Sequence, residues 1–311
     1  MSDSTMRIGR DATPEVSVIV PMRNASSYIA RCVASLRGQS YPADRYEIII
    51  IDNNSDDGSP ELVAADASVR LLFEKKPGAY AARNRGVMAA RGRLLAFTDA
   101  DCEPDKDWLA NLIAPLASRE VMLAQGRRIF GGKSRILSLV ARYEAEHAAY
   151  SLSPEGAGTH FGYTNNMAVR REAFERCGPF VEVARGADSV FVDRVVGAYS
   201  IDAIRFVRDA VICHLEMNGM RRWLMKRFIR GANLQRTIRM RRYRRMGPRK
   251  MPILLERAVA GSKHVQFDTA LLTFAIATGT IAFDVGRLSS KLSLLRGKSR
   301  TEENADLSLS P

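Results

Sequence analysis

The sequence predicts an α/β fold built on a doubly wound, mostly parallel sheet flanked by helices. Three observations carry that reading. Short apolar runs recur at Val16–Val20, Ile48–Ile51 and Leu94–Phe97. Stretches with helical spacing lie between them. Each run is halted by turn or acidic residues (Pro21, Asp52, Thr98-Asp99), as buried parallel strands are.

The helices follow in order. Ser26 to Arg37 sets Ile29, Val33 and Leu36 at helical spacing. Ser59-Pro60-Glu61 offers an N-cap with proline at the first helical position. Ala79 to Ala90 is alanine-rich, and Asp107 to Leu116 carries Trp108, Leu112 and Leu116 on one face, with Pro115 near its end. Strand alternating with helix implies right-handed crossovers and ligands at the carboxyl ends of the strands.

Beyond Leu116 the pattern is less regular. It predicts a strand over Phe161–Val169, helices over Arg170–Cys177 and Asp188–Tyr199, and a strand pair at Ile204–Val207 and Ala210–His214. A long basic helix is expected from Met220 to about Met246. The polar tail from Lys298 is expected to be disordered.

The charge balance narrows the partners. The net charge is +13, and Arg221 to Lys250 alone holds thirteen Lys and Arg with no acidic residue. The rest of the chain is near neutral, so the basicity is local. No nucleic-acid motif surrounds the run, so DNA and RNA rank below a membrane surface. Cys32, Cys102, Cys177 and Cys213 form no CxxC pair, which argues for reduced thiols and against a zinc cluster. Met1 to Glu15 carries no apolar core, so no secretory leader is expected.

Three segments carry chemistry. Asp99-Ala100-Asp101 ends a strand with two carboxylates, and Mg²⁺ or Mn²⁺ takes such oxygen ligands together with substrate phosphates. The Asp52-Asn53-Asn54-Ser55-Asp56-Asp57-Gly58-Ser59 loop can bind a base or ribose, or simply turn the chain. Pro77-Gly78 opens a helix whose free N–H groups, with Arg83 and Arg85, suit a pyrophosphate or a solvated helix start.

In this order the motifs resemble glycosyltransferase family 2, with its GT-A fold. The resemblance starts at Val16-Ser17-Val18-Ile19-Val20-Pro21 with Asn24. It passes through Asp52, Asp56-Gly58-Ser59, Pro77-Gly78, Ala82-Arg83-Asn84, Gly86 and Phe97-Thr98-Asp99-Ala100-Asp101. It ends with Thr164-Asn165-Asn166-Met167-Ala168, Arg170, Gly186-Ala187-Asp188 and Arg194. It covers roughly residues 15–215, and the ordered set is more specific than any piece.

The resemblance implies an inverting transfer of sugar from a nucleotide diphosphate sugar to an acceptor hydroxyl. It implies Asp188 as the catalytic base. Pro21, Asn24, Asp52, Arg83, Asn84 and Asp99 are implied around the nucleotide, and Asp101, Asp99 and His214 around Mg²⁺ or Mn²⁺. His214 reads equally as a partly buried histidine. Processive synthases of the family carry Gln-x-x-Arg-Trp. Here Arg222-Trp223 stands with Gly219 in place of Gln, so one sugar per encounter is expected.

Met220, Trp223, Leu224, Phe228 and Ile238 fall on one face of the basic helix, with Arg222, Lys226 and Arg230 elsewhere. Such a helix suits an anionic membrane surface, each basic residue contributing about 1 kcal/mol. Ala270–Phe283 is apolar but shorter than the roughly 20 residues of a span.

The expected layout is a flexible N-terminus over 1–14, a GT-A catalytic domain over 15–218, a helical membrane-associated region over 219–297 and a tail over 298–311. The expected place is the cytoplasmic face of the inner membrane, peripheral or monotopic, with a lipid-linked or cell-envelope glycan as acceptor. The alternatives are a nucleotidyltransferase of related fold, which would want a Gly-rich basic loop after the first strand, and an inactive sugar-nucleotide binding module.

Overall fold

The computed structural model describes residues 13–156, 161–237, 240 and 248–306, with side chains omitted at 235–237, at 248 and from 291 onward. The first half runs β1 (Val16–Met22), α1 (Ile29–Arg37), β2 (Tyr46–Asp52), α2 (Ser59–Ala64), β3 (Val69–Phe73), α3 (Ala79–Ala89), β4 (Leu94–Thr98), β5 (Cys102–Pro104) and α4 (Trp108–Ile113). There follow β6 (Leu123–Phe130), α5 (Arg135–Ser151), β7 (Asn166–Arg170), α6 (Arg171–Cys177), α7 (Ala187–Ala198) and β8 (Ile204–His214). Three helices complete the chain: α8 (Met220–Thr237), α9 (Met251–Val259) and α10 (Val265–Asp306).

One sheet orders the strands β3-β2-β1-β4-β7-β6-β8-β5. β3, β2, β1 and β4 are parallel, so Met22, Asp52 and Thr98 end at one edge. The apolar runs are continuous because both faces are covered. Val18, Val20, Ile48 and Ile50 face α1 and α4, while Ile19, Ile49, Ile51, Leu95 and Phe97 face α3, α6 and α7. Each fully buried isoleucine contributes roughly 1.5–3 kcal/mol of hydrophobic transfer.

The direction reverses at β7, which is antiparallel to both β4 and β6. β5, only three residues long, pairs antiparallel with β8 and sets Cys102 opposite His214. The backbone of Leu215 donates to Asp101 at 2.9 Å, which draws Asp101 alongside His214.

Several sequence expectations change. β3, β5, β6, α5 and α9 have weak or short patterns and are not foreseen. Residues 161–165 are irregular, and β7 starts at Asn166, whose side chain donates to the carbonyls of Arg127 and Ala210 and accepts from Trp108 Nε1. The expected strand pair is one strand, β8, bridged to β6 across an irregularity at Gly126/Arg127. Ser59 does not cap its own helix: its hydroxyl accepts from Ala25 N at 2.9 Å and so ties α2 to the loop after β1. The basic helix is described to Thr237; Ile238 and residues 241–247 lie outside the described residues. The backbone of α10 is helical to Asp306, a range that takes in residues 298–306 of the expected tail. Residues 1–12 and 307–311, parts of both expected terminal segments, lie outside the described residues.

The C-terminal helices form a third core with α5, built from Leu137, Val140, Trp223, Leu254, Leu272 and Ala275. α8 and α10 cross with their backbones in contact. A Cβ at Gly231 would collide with the Phe283 carbonyl, and one at Gly286 with the Phe228 carbonyl. Only glycine fits this crossing.

Candidate active site

A cavity of about 700 Å³ opens at the carboxyl end of the sheet. Pro21 and Asn24 line it from the end of β1, Arg83 from α3, Asp99 and Asp101 from the β4–β5 turn, Asp188 from α7 and His214 from β8. Residues up to 193 positions apart in the chain thus share one space, because parallel strands end together and β5 folds back on β8.

Local structure fixes each group. Asn24 has φ 50°, and its Oδ1 accepts from Asp56 N at 3.0 Å, locking the β1 loop to the β2 loop. Arg83 is buried and pairs with Asp99. Gly186, at φ 93°, turns the chain into α7, so Asp188 sits in its first turn. Asp188 Oδ1 accepts from Ser189 N at 2.8 Å. Beneath it, Phe180 packs on Phe191 at 5.0 Å and on Phe97 at 5.4 Å, anchoring the loop before α7 to the sheet. Arg194 donates to the Cys177 and Pro179 carbonyls and braces that loop.

Around Asp101 ionisable groups crowd together: Asp99, His214, Glu216 and Lys226. Burial, then the neighbouring Asp99 carboxylate, push the Asp101 carboxyl well above the usual range. Glu216 shares a hydrogen bond with Asp101 and is held below the usual range by Lys226 against the opposing pull of burial. Lys226 Nζ lies 2.8 Å from Glu216 and 3.2 Å from His214 Nε2. Burial, then Lys226, keep the His214 ring neutral.

This cluster fits a divalent cation. Ligand atoms of Asp101, Cys102 and His214 lie within 4.8 Å of one another. His214 Nδ1 is buried without a hydrogen-bond partner, 3.4 Å from Asp101 Oδ2. Burial, then Asp101, raise the Cys102 thiol well above its ordinary range, and a soft sulfur is a poor ligand for a hard divalent cation beside carboxylate oxygens. The remaining donors are carboxylate oxygens and one neutral imidazole, suited to Mg²⁺ or Mn²⁺.

Two expected nucleotide contacts stand apart from the cavity lining. Asn84 donates to the Phe180 carbonyl at 2.9 Å and accepts from Phe180 N at 3.1 Å, so it braces α3 against the loop before α7. Asp52 is buried at the end of β2 behind the β1 loop. Its Oδ2 accepts from Ser55 N at 3.3 Å, and its Oδ1 has no partner. Asn53 joins the same strand end to the next loop, donating to the Glu74 and Lys76 carbonyls and accepting from Gly78 N.

The basic helix also departs from expectation. Lys226, Arg227 and Arg230 line the cavity instead of facing outward, because Trp223 and Leu224 turn the helix onto the third core. Glu216, Lys226, Arg128 and Glu144 were not foreseen as site residues. The position of Glu216 two residues after His214 was the one local signal available.

An α/β sheet with acidic strand ends, a cation-fitting cluster and a facing aspartate defines the class of nucleotide-sugar transferases with the GT-A fold. Residues 17–178 match the family model described as Glycosyl transferase family 2. The chain is 31% identical over 212 residues to the glycosyltransferase AglE of Haloferax volcanii, covering 65% of this chain and 67% of that protein. It is 28% identical over 186 residues to the beta-monoglucosyldiacylglycerol synthase of Trichormus variabilis, covering 54% and 38%. It spans about half the length of other curated relatives that it matches. Among solved structures, the mannosyltransferase PcManGT from Pyrobaculum calidifontis, in complex with GDP-Man and Mn²⁺, aligns with TM-score 0.56 at 24% identity, over 93% of this chain and 81% of that one. The chain belongs to glycosyltransferase family 2 and is a glycosyltransferase.

Proposed function

We propose that the protein transfers one sugar per encounter, with inversion, from a nucleoside diphosphate sugar to an acceptor hydroxyl of a lipid-linked or cell-envelope glycan. The observation that carries this reading is the convergence of Asp99, Asp101, His214 and Asp188 on one cavity. Asp101, Asp99 and His214 are the residues that would hold a divalent cation. Bound there, Mg²⁺ or Mn²⁺ supplies positive charge toward a diphosphate leaving group.

The chain's own residues supply the rest. Pro21 and Asn24 line the wall for the nucleotide, and buried Asp52 supports that wall from behind. Arg83 holds Asp99 in place through their ion pair. Asp188 takes the acceptor hydroxyl's proton as that oxygen attacks the anomeric carbon. The bond from that carbon to the diphosphate breaks, and the diphosphate departs with the electron pair. Attack from the opposite face inverts the centre. Lys226 balances the Asp101–Glu216 charges beside the diphosphate end.

Membrane attachment belongs to the same reading. The Val265–Ser290 portion of α10 is long and apolar enough to cross a membrane, with mean hydropathy 1.5. One side is committed to protein: Leu272, Ala275 and Ile276 are buried, and Asp268 takes a bidentate Arg135 at 2.6 and 3.0 Å. The other side exposes Phe267, Phe274, Ile281 and Leu288, seven residues apart. That arrangement favours a monotopic helix lying in the membrane interface over a span, and we assign it to the cytoplasmic face.

The test is transfer from a panel of nucleotide sugars with Mn²⁺ and membrane extract. Asp188→Asn and Asp101→Asn are each expected to lose about 10³-fold in rate with unchanged circular dichroism. Wild-type rates in either variant would refute that residue's role. Absence of turnover in the wild type would favour a binding module.

A further inference from the structure

Beyond Asp188 the cavity carries positive charge that the reading above does not use. Arg128 of β6 and Arg227 and Arg230 of α8 converge there on a single carboxylate, Glu144 of α5. Glu144 is already taken. Arg128 donates to it at 2.8 Å, and Trp223 Nε1 at 3.0 Å. Arg227 donates to the Gly279 carbonyl at 3.4 Å and lies over the Trp223 and Phe283 rings, 5.8 and 5.4 Å from their centroids. Arg230 makes no hydrogen bond or ion pair among the described residues; its guanidinium rests 4.6 Å from the Phe161 ring centroid.

Three guanidiniums face Glu144 and, at Arg230, Asp188 as well, which leaves a surplus of positive charge in a partly buried space. Burial, then Arg227, pull the Arg230 guanidinium down to about 10, with Glu144 and Asp188 opposing in part. Asp188 is among the charges that act on Arg230, so the surplus adjoins the proposed base. Converging planar donors of this kind are the usual recognition set for a phosphate. The wall beside them is apolar, formed by Phe161 and by Ile276 and Phe283 of α10, the helix whose outer side is exposed and apolar.

We propose that Arg128, Arg227 and Arg230 bind a phosphate or phosphodiester carried by the acceptor, which places the acceptor's hydroxyl, a separate oxygen, beside Asp188. The inference rests on the transferase reading and names the acceptor's class, a phosphorylated molecule. The phosphate belongs either to a lipid carrier, whose chain would leave along α10, or to a water-soluble acceptor.

The test uses the full chain in detergent with EDTA, so that no cation recruits phosphate to Asp101. Trp223 lines the cavity and reports binding by its fluorescence. Farnesyl phosphate, farnesol and glycerol 3-phosphate are titrated. Farnesyl phosphate is expected to bind about tenfold or more tightly than farnesol. Arg230→Gln and Arg227→Gln should each weaken it about tenfold, and Arg230→Lys less. Arg119→Gln removes the same charge from a distant exposed loop and should change nothing. Farnesyl phosphate well ahead of glycerol 3-phosphate identifies a lipid carrier, and parity identifies a soluble acceptor. Equal binding of farnesol, or full phosphate binding in both glutamine variants with unchanged melting curves, overturns the proposal. UDP and GDP titrated with Mn²⁺ in the same preparations separate the two failures. Nucleotide binding that survives leaves the transferase reading standing, and its absence in the wild type removes both.

Discussion

Every residue of β1 is buried, as is β2 from Ile48 to Asp52, whereas α10 alternates buried Leu272, Ala275 and Ile276 with exposed Phe267, Phe274, Ile281 and Leu288. Pro21 of β1 and Ile276 and Phe283 of α10 line the same cavity. The sheet half holds its shape through apolar side chains on both faces and sends its functional groups to the strand ends. The helical half holds partly buried ionisable groups, Glu144, His147 and Arg230, next to the third core, whereas the sheet half keeps its buried charges, Asp52 and the Arg83 of the Arg83–Asp99 pair, at the strand-end side of the sheet. A buried charge is costly to desolvate, so it persists where geometry or a ligand compensates it. In the function proposed above, the sheet half frames the donor end and the helical half supplies the ionic wall for the acceptor.

The sharpest way to break this contrast is at the helix crossing. Gly231→Leu forces α8 and α10 apart, and the expected cost is about 3 kcal/mol or more, confined to the helical half. Urea unfolding followed separately at Trp223 and Trp108 should show the Trp223 transition moving to lower urea while the Trp108 transition stays. Coincident shifts would make the two halves one cooperative unit.

Acid pH should also reach the helical half first. Burial lowers His147 to about 4, opposed in part by Glu144. The unfolded chain binds its histidine proton near pH 6.5. Between about pH 6.5 and 4 the unfolded state therefore holds more protons, and stability falls as pH falls. The loss is roughly 1–3 kcal/mol across that window. Melting temperature against pH should flatten in His147→Gln; an unchanged slope would remove the histidine from the account.

The smallest effect on stability belongs to the outer stripe. Phe274→Ser with Ile281→Ser should change stability by no more than about 0.5 kcal/mol each. The same pair should weaken sedimentation with vesicles of anionic lipid at high salt, where charge attraction is screened. Undiminished binding would shift attachment to the basic segment.

What was legible in the sequence follows the same division. β1, β2 and β4 could be read because total burial makes unbroken apolar runs, and Asp99 and Asp101 because they stand at a strand end; Asp188 was singled out by the family resemblance alone, and the Gly186 turn brings it to the cavity lining. β5 could not be read, since three residues carry no period and its place depends on β8. Lys226, Arg227 and Arg230 were legible as charges but not in direction. The bulk of Trp223 and the small Gly231, not their own spacing, rotate them into the cavity. The bond from Asn84 to the Phe180 carbonyl, 96 residues away, is one that no local pattern announces.

The central claim is that Asp101 and Asp188 serve opposite ends of one transfer site, and binding measured against turnover tests it most directly. Calorimetric titration of UDP and GDP with Mn²⁺ should show Asp101→Asn losing about tenfold or more in affinity, while Asp188→Asn binds as the wild type does yet transfers almost no sugar. Equal loss of nucleotide binding in both variants, or continued transfer by Asp188→Asn, would contradict it.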